Sequence, residues 1–372
     1  MNKMKKFFVL VILASFLLGY DAISQETYVF TETINIPVTP VKDQQITGTC
    51  WSFATTSFIE AELLRTTKKE FDLAEMYFVR NAYIDKAENY VRRHGLTNFG
   101  QGGQAHDVIN QIADFGFITQ EAYPGNTYDP GTFNHSELDA VLNAMLDVFV
   151  QKKNRKLTTV WEKAYTGVVD TYLGEIPESF IFEGKKQTPQ EFAKSTKFNP
   201  DDYVEITSFL NYDFYKKVIL EVPDNWSNDL YYNIPLDELV EVMKNSLDKG
   251  YTIVWDGDMS HPGFSHKNNI AIVPVEKTDF TSIIAEKEIT PELRQQDFDN
   301  LTTTDDHLMH ITGLAKDQKG TIYFKTKNSW GADSNKLGGY LYMSEQFIRQ
   351  NTIAVLVHKN AIPDTIKKKL GL

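Results

Sequence analysis

The chain has 372 residues, of which 42% are hydrophobic and 24% are charged, so it is long enough to bury a large core. Its formal net charge is -12 at pH 7, whereas a protein that binds nucleic acid needs a basic surface. Composition therefore argues against nucleic acid as a partner and says little about the substrate.

Residues 1–24 have the pattern of a secretory signal peptide. A basic start is followed by an apolar run at 7–18 that is too short to cross a bilayer comfortably, and Ala22-Ile23-Ser24 resembles a cleavage site. We therefore predict an exported protein, periplasmic or extracellular, that begins near Gln25 and keeps no stable membrane anchor. An uncleaved anchor is the alternative.

The only cysteine of the chain, Cys50, stands between a polar loop and a predicted helix at 50–68. A helix N-terminus favours the thiolate through its dipole and its unpaired N–H groups. We interpret Cys50 as a nucleophile and Gln44, in the preceding loop, as a candidate donor to an oxyanion. The alternative for Cys50 alone is a small buried hydrophobic residue.

The segment around this cysteine is predicted to be helical. After an extended lead-in at 26–43, apolar residues recur at helical spacing at 50–68, 73–91 and 105–115. We therefore predict a helical half-domain over 25–133.

Residues 134–231 are predicted to form a mainly helical insert, with a helix at 138–150 and several prolines after it. No chemistry of a site is recognisable in this insert. The polar segment 275–305 is predicted to be a long exposed loop.

Residues 232–372 change to β-type patterns after a helix at 234–248. Short runs rich in β-branched and aromatic residues are separated by turn residues, which is typical of a small antiparallel barrel or sheet. These predicted strands lie at 251–255, 307–314, 321–326, 339–343 and 353–357.

A cysteine nucleophile needs a base, which we expect to be a histidine. His307 and His310 lie on one predicted strand and face opposite sides, so only one of them can face a given cleft. The same geometry argues against a metal site made of this pair. His261 and His266 lie in a polar segment and are expected to be solvated.

An asparagine lies downstream of the predicted strand, in Lys327-Asn328-Ser329-Trp330-Gly331. The Asn328 side chain can accept the N–H of an imidazole and fix its tautomer, and Trp330 can shield that hydrogen bond from water.

These blocks, Gln44…Gly48-Thr49-Cys50-Trp51, Asp306-His307…Gly313 and Asn328-Ser329-Trp330-Gly331, together resemble the active-site blocks of papain-like cysteine peptidases. The long spacing from Cys50 to His307 and the segment 232–237 look closer to the bleomycin hydrolase/aminopeptidase C branch. The resemblance implies an α+β, papain-like fold. A helical left half-domain and an antiparallel β-barrel right half-domain would enclose the active-site cleft, with the helical insert added.

The resemblance also implies roles for single residues. Cys50 would be the nucleophile, His307 the acid–base, Asn328 its orienter and Gln44 the oxyanion donor. The implied substrate-binding residues are Gly102, Gly103, Trp51 and Trp330. It implies no cofactor and no metal, peptide or protein substrates, and a possible homo-oligomer.

Two departures from the family pattern affect these expectations. Thr47 stands where the family has a cysteine, so the loop before Cys50 must be held by packing and hydrogen bonds. The tail after Pro363 is lysine-rich and shorter than the C-terminal arm that enters the cleft in the aminopeptidase branch. Aminopeptidase and endopeptidase action both stay open.

The sequence therefore predicts an exported cysteine peptidase that works through a thioester acyl-enzyme. A catalytically silent peptide-binding module with a peptidase-like fold is the alternative. A metal-dependent hydrolase would need ligands that the sequence does not assemble.

Overall fold

The structure is a computed structural model that describes residues 27–151, 156–276 and 280–372. The predicted signal peptide at 1–24 lies outside the described residues. Within these ranges, no helix has both the length and the apolar composition that crossing a bilayer requires.

The described residues form both helices and strands, in the order expected of an α+β protein. The helices are α1 Cys50–Thr67, α2 Glu75–Arg92, α3 Ala105–Phe115, α4 Ser136–Val150, α5 Trp161–Leu173, α6 Pro189–Thr196, α7 Leu236–Asp248, α8 Pro291–Asp299, α9 Glu345–Asn351 and α10 Asp364–Leu370. The strands are β1 Thr31–Asn35, β2 Phe180–Phe182, β3 Lys185–Gln187, β4 Tyr203–Thr207, β5 Lys216–Ile219, β6 Leu230–Asn233, β7 Ile253–Gly257, β8 Phe264–Ser265, β9 Ile270–Ala271, β10 His307–Lys316, β11 Ile322–Lys327, β12 Tyr340–Ser344 and β13 Thr352–His358.

Helix α1 is the central element of the helical half. Every residue from Cys50 to Leu63 is buried, because α2 and α3 pack on one side of the helix and β10 packs on the other. A helix covered on all sides cannot show a clean amphipathic stripe, which is why its apolar pattern extends around the helix. Its first residue, Cys50, is thereby placed at the junction with the β-rich half.

The β-rich half is built on a large, mainly antiparallel sheet. Its strand order is β5-β6-β4-β13-β7-β10-β11-β12-β9-β8, with β1 paired to β10 off this path. Met309 and Ile311 of β10 enter the core of this half, whereas Leu308 enters the core of the helical half. Strand β10 therefore lies between two cores and carries one set of side chains into each.

The N-terminal lead-in crosses from one half to the other. Strand β1 pairs with β10, and the Ile36 backbone N–H donates to the carbonyl of Thr312 at 2.9 Å. The lead-in was predicted as part of the helical half-domain over 25–133, but the backbone pairing of its strand β1 lies in the β-rich half. Local periodicity cannot show which strand an extended segment will join.

Only the first part of the predicted insert is helical. Helices α4, α5 and α6 pack on the helical half, but β4 and β6 join the large sheet beside β13. The predicted boundary at 231/232 falls within β6. The aromatic and β-branched residues of Tyr203–Thr207 are typical of a strand, and the prolines around them obscured that pattern.

The predicted loop at 275–305 contains helix α8, so this part of the prediction was wrong. Thr290 caps the helix by accepting from the Leu293 N–H at 3.2 Å, and Pro291 occupies its first turn. The helix buries Arg294, whose guanidinium donates to backbone carbonyls such as that of Ser208 at 2.8 Å. Because the residues that α8 buries are polar or charged, its sequence shows no apolar helical stripe. The absence of that stripe explains why the segment was predicted to be a loop.

A buried ion cluster holds the end of the lead-in against the helical half. The Lys42 ammonium lies 3.1 Å from Glu60, 2.6 Å from Glu75 and 2.7 Å from Asp72. The side chains of Glu60 and Glu75 are almost fully buried, so Lys42 compensates charges that water cannot reach.

The Lys42→Met substitution should lower the free energy of unfolding by about 3–5 kcal/mol at pH 8, because it leaves buried carboxylates without a partner. Burial raises the pKa of Glu75 to about 7, so at pH 5 this carboxyl is protonated and the loss should be smaller. Urea unfolding at both pH values measures the loss in the free energy of unfolding. The matched control is Lys69→Met, since the Lys69–Glu183 pair is 59% and 60% exposed and should contribute less than about 1 kcal/mol. Equal losses in the two variants would contradict the prediction.

Candidate active site

Cys50 begins α1 at the end of a loop that hydrogen bonds hold in place. The Thr47 hydroxyl donates to the Gln44 carbonyl at 2.8 Å and lies 2.6 Å from the Thr49 hydroxyl. The Gly48 N–H donates to the Gln101 side chain at 2.8 Å. At the position where the family has a cysteine, Thr47 therefore orders the loop with its hydroxyl, and no disulfide is needed.

The side-chain amide of Gln44 has a fixed orientation. Its Oε1 accepts from the Ser329 hydroxyl at 2.6 Å, and its Nε2 donates to the Thr47 carbonyl at 2.7 Å. Because an amide NH₂ carries two hydrogens, one N–H of Gln44 is left for a further acceptor. Gln44 is thus suited to donate to an oxygen near Cys50, as its predicted role requires.

His307 is oriented by Asn328. One imidazole nitrogen, Nε2, lies 2.8 Å from Asn328 Oδ1, which also accepts from the Ser329 N–H at 2.8 Å. Since that oxygen is an acceptor, Nε2 carries the proton and Nδ1 is left as the basic nitrogen. The Trp330 ring lies 5.2 Å from the His307 ring and covers this hydrogen bond.

The other histidine of the strand faces the opposite side, as strand alternation predicts. His310 is buried against α1, where its Nδ1 lies 2.9 Å from the Ser57 hydroxyl. It belongs to a buried polar group in which Lys327 donates to the same hydroxyl at 2.7 Å. His310 therefore does not share the environment of His307 and Asn328.

The thiol lies beside the start of β10. The backbone N–H of Leu308, the residue after His307, lies close enough to the Cys50 sulfur to favour its thiolate and so to lower its pKa. Cys50 is only 8% exposed, and burial raises the pKa of its thiol to about 12. Burial likewise lowers the pKa of His307 to about 4, against the opposing effect of the Asn328 hydrogen bond. At pH 7 the thiol and the imidazole are therefore both neutral in the absence of substrate.

Gly102 and Gly103 form one edge of the site, and both approach other side chains too closely to carry a Cβ. A Cβ on Gly103 would lie 3.0 Å from the Trp51 ring and 2.7 Å from Asp107 Oδ2. The Trp51 Nε1 donates to the Gln101 carbonyl at 2.8 Å, and its ring is fully buried. Trp51, predicted as a substrate-binding residue, therefore supports this edge from inside the core and does not line the cleft.

His266 was expected to be solvated, and the structure places it at the site. It is buried, its ring lies 4.8 Å from the Trp330 ring, and the Asn328 Nδ2 approaches its Nδ1 at 3.3 Å. His261 is also partly buried and accepts from the Gly263 N–H at 2.9 Å. The sequence around His261 and His266 is polar and contains no local sign that this segment folds back against Trp330.

The insert also reaches the site, although its sequence showed no site chemistry. Residues 220–229, here called the 220–229 loop, connect β5 and β6 and place the Asp224 carboxylate against Gly102, so closely that a side chain at 102 would collide with it. The loop is pinned by Trp226, whose Nε1 donates to Asp107 at 3.0 Å. No local pattern marks Asp224, because its position depends on the strands on both sides of the loop.

The fold is that of a papain-like α+β protein, in which the Cys50 thiol lies at the junction of the two halves, beside the strand that carries His307. The crystal structure of PepW from Lactobacillus rhamnosis HN001 has the same fold, with a TM-score of 0.74 and 19% identity, over 92% of this chain and 84% of that chain.

The model of the Peptidase C1-like family matches residues 15–371, so the chain belongs to this family. Aminopeptidase W of Lactobacillus delbrueckii subsp. lactis is 25% identical over 382 residues, which cover 90% of this chain and 84% of that protein. Bleomycin hydrolase of Mus musculus is 21% identical over 394 residues, covering 91% and 84%. The chain is thus a papain-like cysteine peptidase near the bleomycin hydrolase branch, which confirms the prediction from sequence.

The His307→Ala substitution should slow alkylation of Cys50 by iodoacetamide at pH 7 by about 100-fold or more, because the neutral thiol loses its base. In the unmodified protein, the alkylation rate should fall as the pH drops through about 4, where the imidazole becomes protonated and cannot accept a proton. Mass spectrometry of the labelled protein over time measures both effects.

The control for this experiment is His310→Gln, which alters the histidine on the opposite face of β10 and can keep a hydrogen bond to Ser57. This variant should be alkylated at nearly the unmodified rate. An unchanged rate in His307→Ala, or the same loss in both variants, would show that the wrong base had been assigned.

Proposed function

We propose that this chain is an exported aminopeptidase that hydrolyses peptide bonds through Cys50, His307 and Asn328 by way of a thioester acyl-enzyme. The observation that carries the proposal is the arrangement around β10. The Leu308 amide is close enough to the Cys50 sulfur to act on its pKa, and the adjacent His307 is held at 2.8 Å by Asn328. An oriented imidazole on the strand beside the thiol supports nucleophilic catalysis.

In the acylation step, the Cys50 sulfur attacks the carbonyl carbon of the scissile bond while His307 Nδ1 takes the thiol proton. The carbonyl oxygen becomes an oxyanion, to which the Cys50 backbone N–H and the free N–H of Gln44 can donate. The imidazolium then gives its proton to the leaving amine, the C–N bond breaks, and a thioester remains.

In the deacylation step, His307 removes a proton from water as the water attacks the thioester. The sulfur leaves and regains a proton from the imidazolium, and the carboxylic acid product is released. Asn328 keeps the imidazole in the same tautomer through both steps, since its Oδ1 accepts from Nε2 throughout.

Removal of residues from the N-terminus is favoured over internal cleavage for two reasons. The 220–229 loop places the Asp224 carboxylate against Gly102, and we expect it to limit the length of substrate that this edge can accept. One of the similar proteins is named aminopeptidase W. An endopeptidase would instead need this edge of the cleft to be open.

The Cys50→Ala substitution should reduce hydrolysis of aminoacyl-aminomethylcoumarin substrates to background, because no other thiol is present in the chain. The fold should be kept, since a cysteine and an alanine have similar small apolar side chains. Fluorescence gives the hydrolysis rate, circular dichroism gives the fold, and a thiol-reactive epoxide identifies Cys50 as the labelled residue.

The substrate set for this test includes N-acetylated peptides as the matched blocked form. Faster cleavage of free-amine substrates than of acetylated ones supports an aminopeptidase, and the reverse order would contradict it. A folded protein that shows neither labelling of Cys50 nor hydrolysis of any peptide would instead be a silent binding module.

We propose that residues 1–24 direct export and are removed near Gln25, as the basic start and the apolar run at 7–18 suggest. N-terminal sequencing of the protein recovered outside the cytoplasm should then begin at or close to Gln25. The control is a chain without 7–18, which should stay inside the cell. Recovery of the full-length chain in the membrane would contradict cleavage.

A further inference from the structure

Three aspartates from separate segments converge beside Cys50, and we call them the acidic pocket: Asp224, Asp256 and Asp305. Asp224 comes from the 220–229 loop, Asp256 from β7, and Asp305 from the residues before β10. Besides burial and the Leu308 N–H, their negative charges are the leading influences on the Cys50 thiol. The three carboxyls therefore lie within electrostatic reach of the sulfur.

Asp256 is the unusual member, because it is buried without a donor. It is 3% exposed, and among the described residues no hydrogen-bond donor reaches either of its carboxylate oxygens. It stands opposite Leu308 in the sheet, and Leu308 is the residue whose N–H acts on the thiol. A buried carboxylate without donors is costly, so this side chain calls for a positively charged ligand or a proton.

The polar group closest to Asp256 is another acid, Asp305. The two carboxyls lie within hydrogen-bond reach of one another, and Asp305 Oδ2 accepts from the Gln104 side chain at 2.6 Å. Burial beside the negative charge of Asp305 raises the pKa of Asp256 well above its usual range. Two acceptors that face each other need a hydrogen between them, which a shared proton or a cationic donor can supply.

Asp224 closes the pocket on the side of Gly102. Its Oδ1 accepts from the Asn98 side chain at 2.9 Å, and its carboxylate lies against Gly102. The loop around it is fixed to the helical half, because Asn89 donates to the Trp226 carbonyl at 2.9 Å. The carboxylate is therefore held in place at the edge of the cleft before any ligand arrives.

The basic groups nearby are already engaged. The buried Lys86 donates to the carbonyls of Gly100 and Gly102, and His106 lies 2.6 Å from Glu205. The charged and titratable groups that interact with the pocket from the surrounding elements are Lys86, Glu205, Tyr231 and Asp306. Carboxyls outnumber the single lysine, so the surroundings of the pocket are acidic.

The pocket does not have the geometry of a metal site. Among the described ranges, no group of three or more His, Cys, Asp and Glu side chains is arranged to hold a metal ion. An ammonium group carries three N–H donors and tolerates carboxylates at several angles. It therefore suits acids that approach from three segments without a coordination geometry.

We propose that the acidic pocket binds the α-ammonium group of the substrate's N-terminal residue and so makes this peptidase an aminopeptidase. The inference rests on the proposed function and assigns to Asp224, Asp256 and Asp305 the task of selecting the free N-terminus. The helix α10 after Pro363 packs against α7, where Lys369 bonds Glu238 at 2.6 Å. The negative charge at the cleft thus comes from the body of the chain.

Binding of an ammonium group also changes the thiol. The three carboxylates raise the pKa of Cys50, and a positive charge among them offsets that effect. A substrate with a free amine therefore promotes its own attack, whereas a blocked substrate leaves the negative field in place. This couples recognition of the N-terminus to formation of the nucleophile.

The test compares Asp224→Asn and Asp305→Asn with the control Asp213→Asn, an exposed aspartate of the same insert. The probes are alanyl-aminomethylcoumarin, its N-acetyl form, and N-acetyl-lysyl-alanyl-aminomethylcoumarin. Loss of a charged hydrogen bond should raise KM for the free-amine substrate by about 10- to 100-fold in both pocket variants and leave the control unchanged. Iodoacetamide should label Cys50 at least as fast in the pocket variants, because less negative charge surrounds the thiol.

The pH profile supplies a second readout. In the unmodified protein, KM for the free-amine substrate should rise above about pH 8, where the α-amino group loses its proton. KM for any acetylated substrate that is cleaved should not change there. In Asp224→Asn, the rise in KM with pH should be smaller, since a neutral asparagine does not favour the protonated amine over the neutral amine.

Three outcomes would overturn the inference while leaving the peptidase function intact. These are an unchanged ratio of free to acetylated cleavage in both pocket variants, equal slowing of hydrolysis and alkylation, or an effect only on the substrate with an internal lysine. The last would assign the pocket to a basic side chain. Absence of hydrolysis and labelling in the unmodified protein would instead overturn the proposed function itself.

Discussion

The contact between the loop before α1 and the segment after β11 is the constraint on which the site depends. The Gln44 N–H donates to the Ser329 carbonyl at 2.8 Å, and the Ser329 hydroxyl donates to Gln44 Oε1 at 2.6 Å. Cys50 begins a helix that packs in one hydrophobic core, whereas the β-rich half that carries His307 and Asn328 has another. Together with β10, which packs in both cores, this crossing contact fixes the position of the Cys50 loop relative to His307 and Asn328.

The electrostatics of the cleft follow from how deeply it is buried. Loss of water raises the pKa of Cys50 and lowers the pKa of His307, so both are neutral at rest. The surrounding aspartates oppose the thiolate further. If the acidic pocket binds the ammonium group of the substrate, as proposed, the charge of the substrate becomes part of the activation of the thiol. A thiol that stays buried and neutral is also protected from oxidation.

The insert joins the two halves into one functional unit. Its helices extend the helical core, its strands β4 and β6 extend the sheet, and the 220–229 loop between strands returns to Gly102. A loop supported at both ends by sheet strands can hold a carboxylate at the cleft without being part of either half-domain. The insert thus places a loop at one edge of the cleft between the two halves and adds the carboxylate of Asp224 there.

The sequence alone determined the chemistry and most of the local structure. Helix α3 was predicted at its observed bounds, and α1 to within one residue. Strand alternation separated His307 from His310, because side chains on a strand alternate between faces whatever the rest of the fold does. The residue types of Cys50, His307 and Asn328, in their order, likewise indicated a thiol peptidase before any contact was known.

Only the tertiary structure decided which segments meet. The pairing of β1 with β10, the approach of His266 to Trp330, and the convergence of Asp224, Asp256 and Asp305 join residues far apart in the chain. Periodicity tells which face of an element is buried, but it carries no information on the partner that buries it. For this reason the residue types of a thiol peptidase could be predicted from the sequence, whereas the convergence of the three aspartates could not.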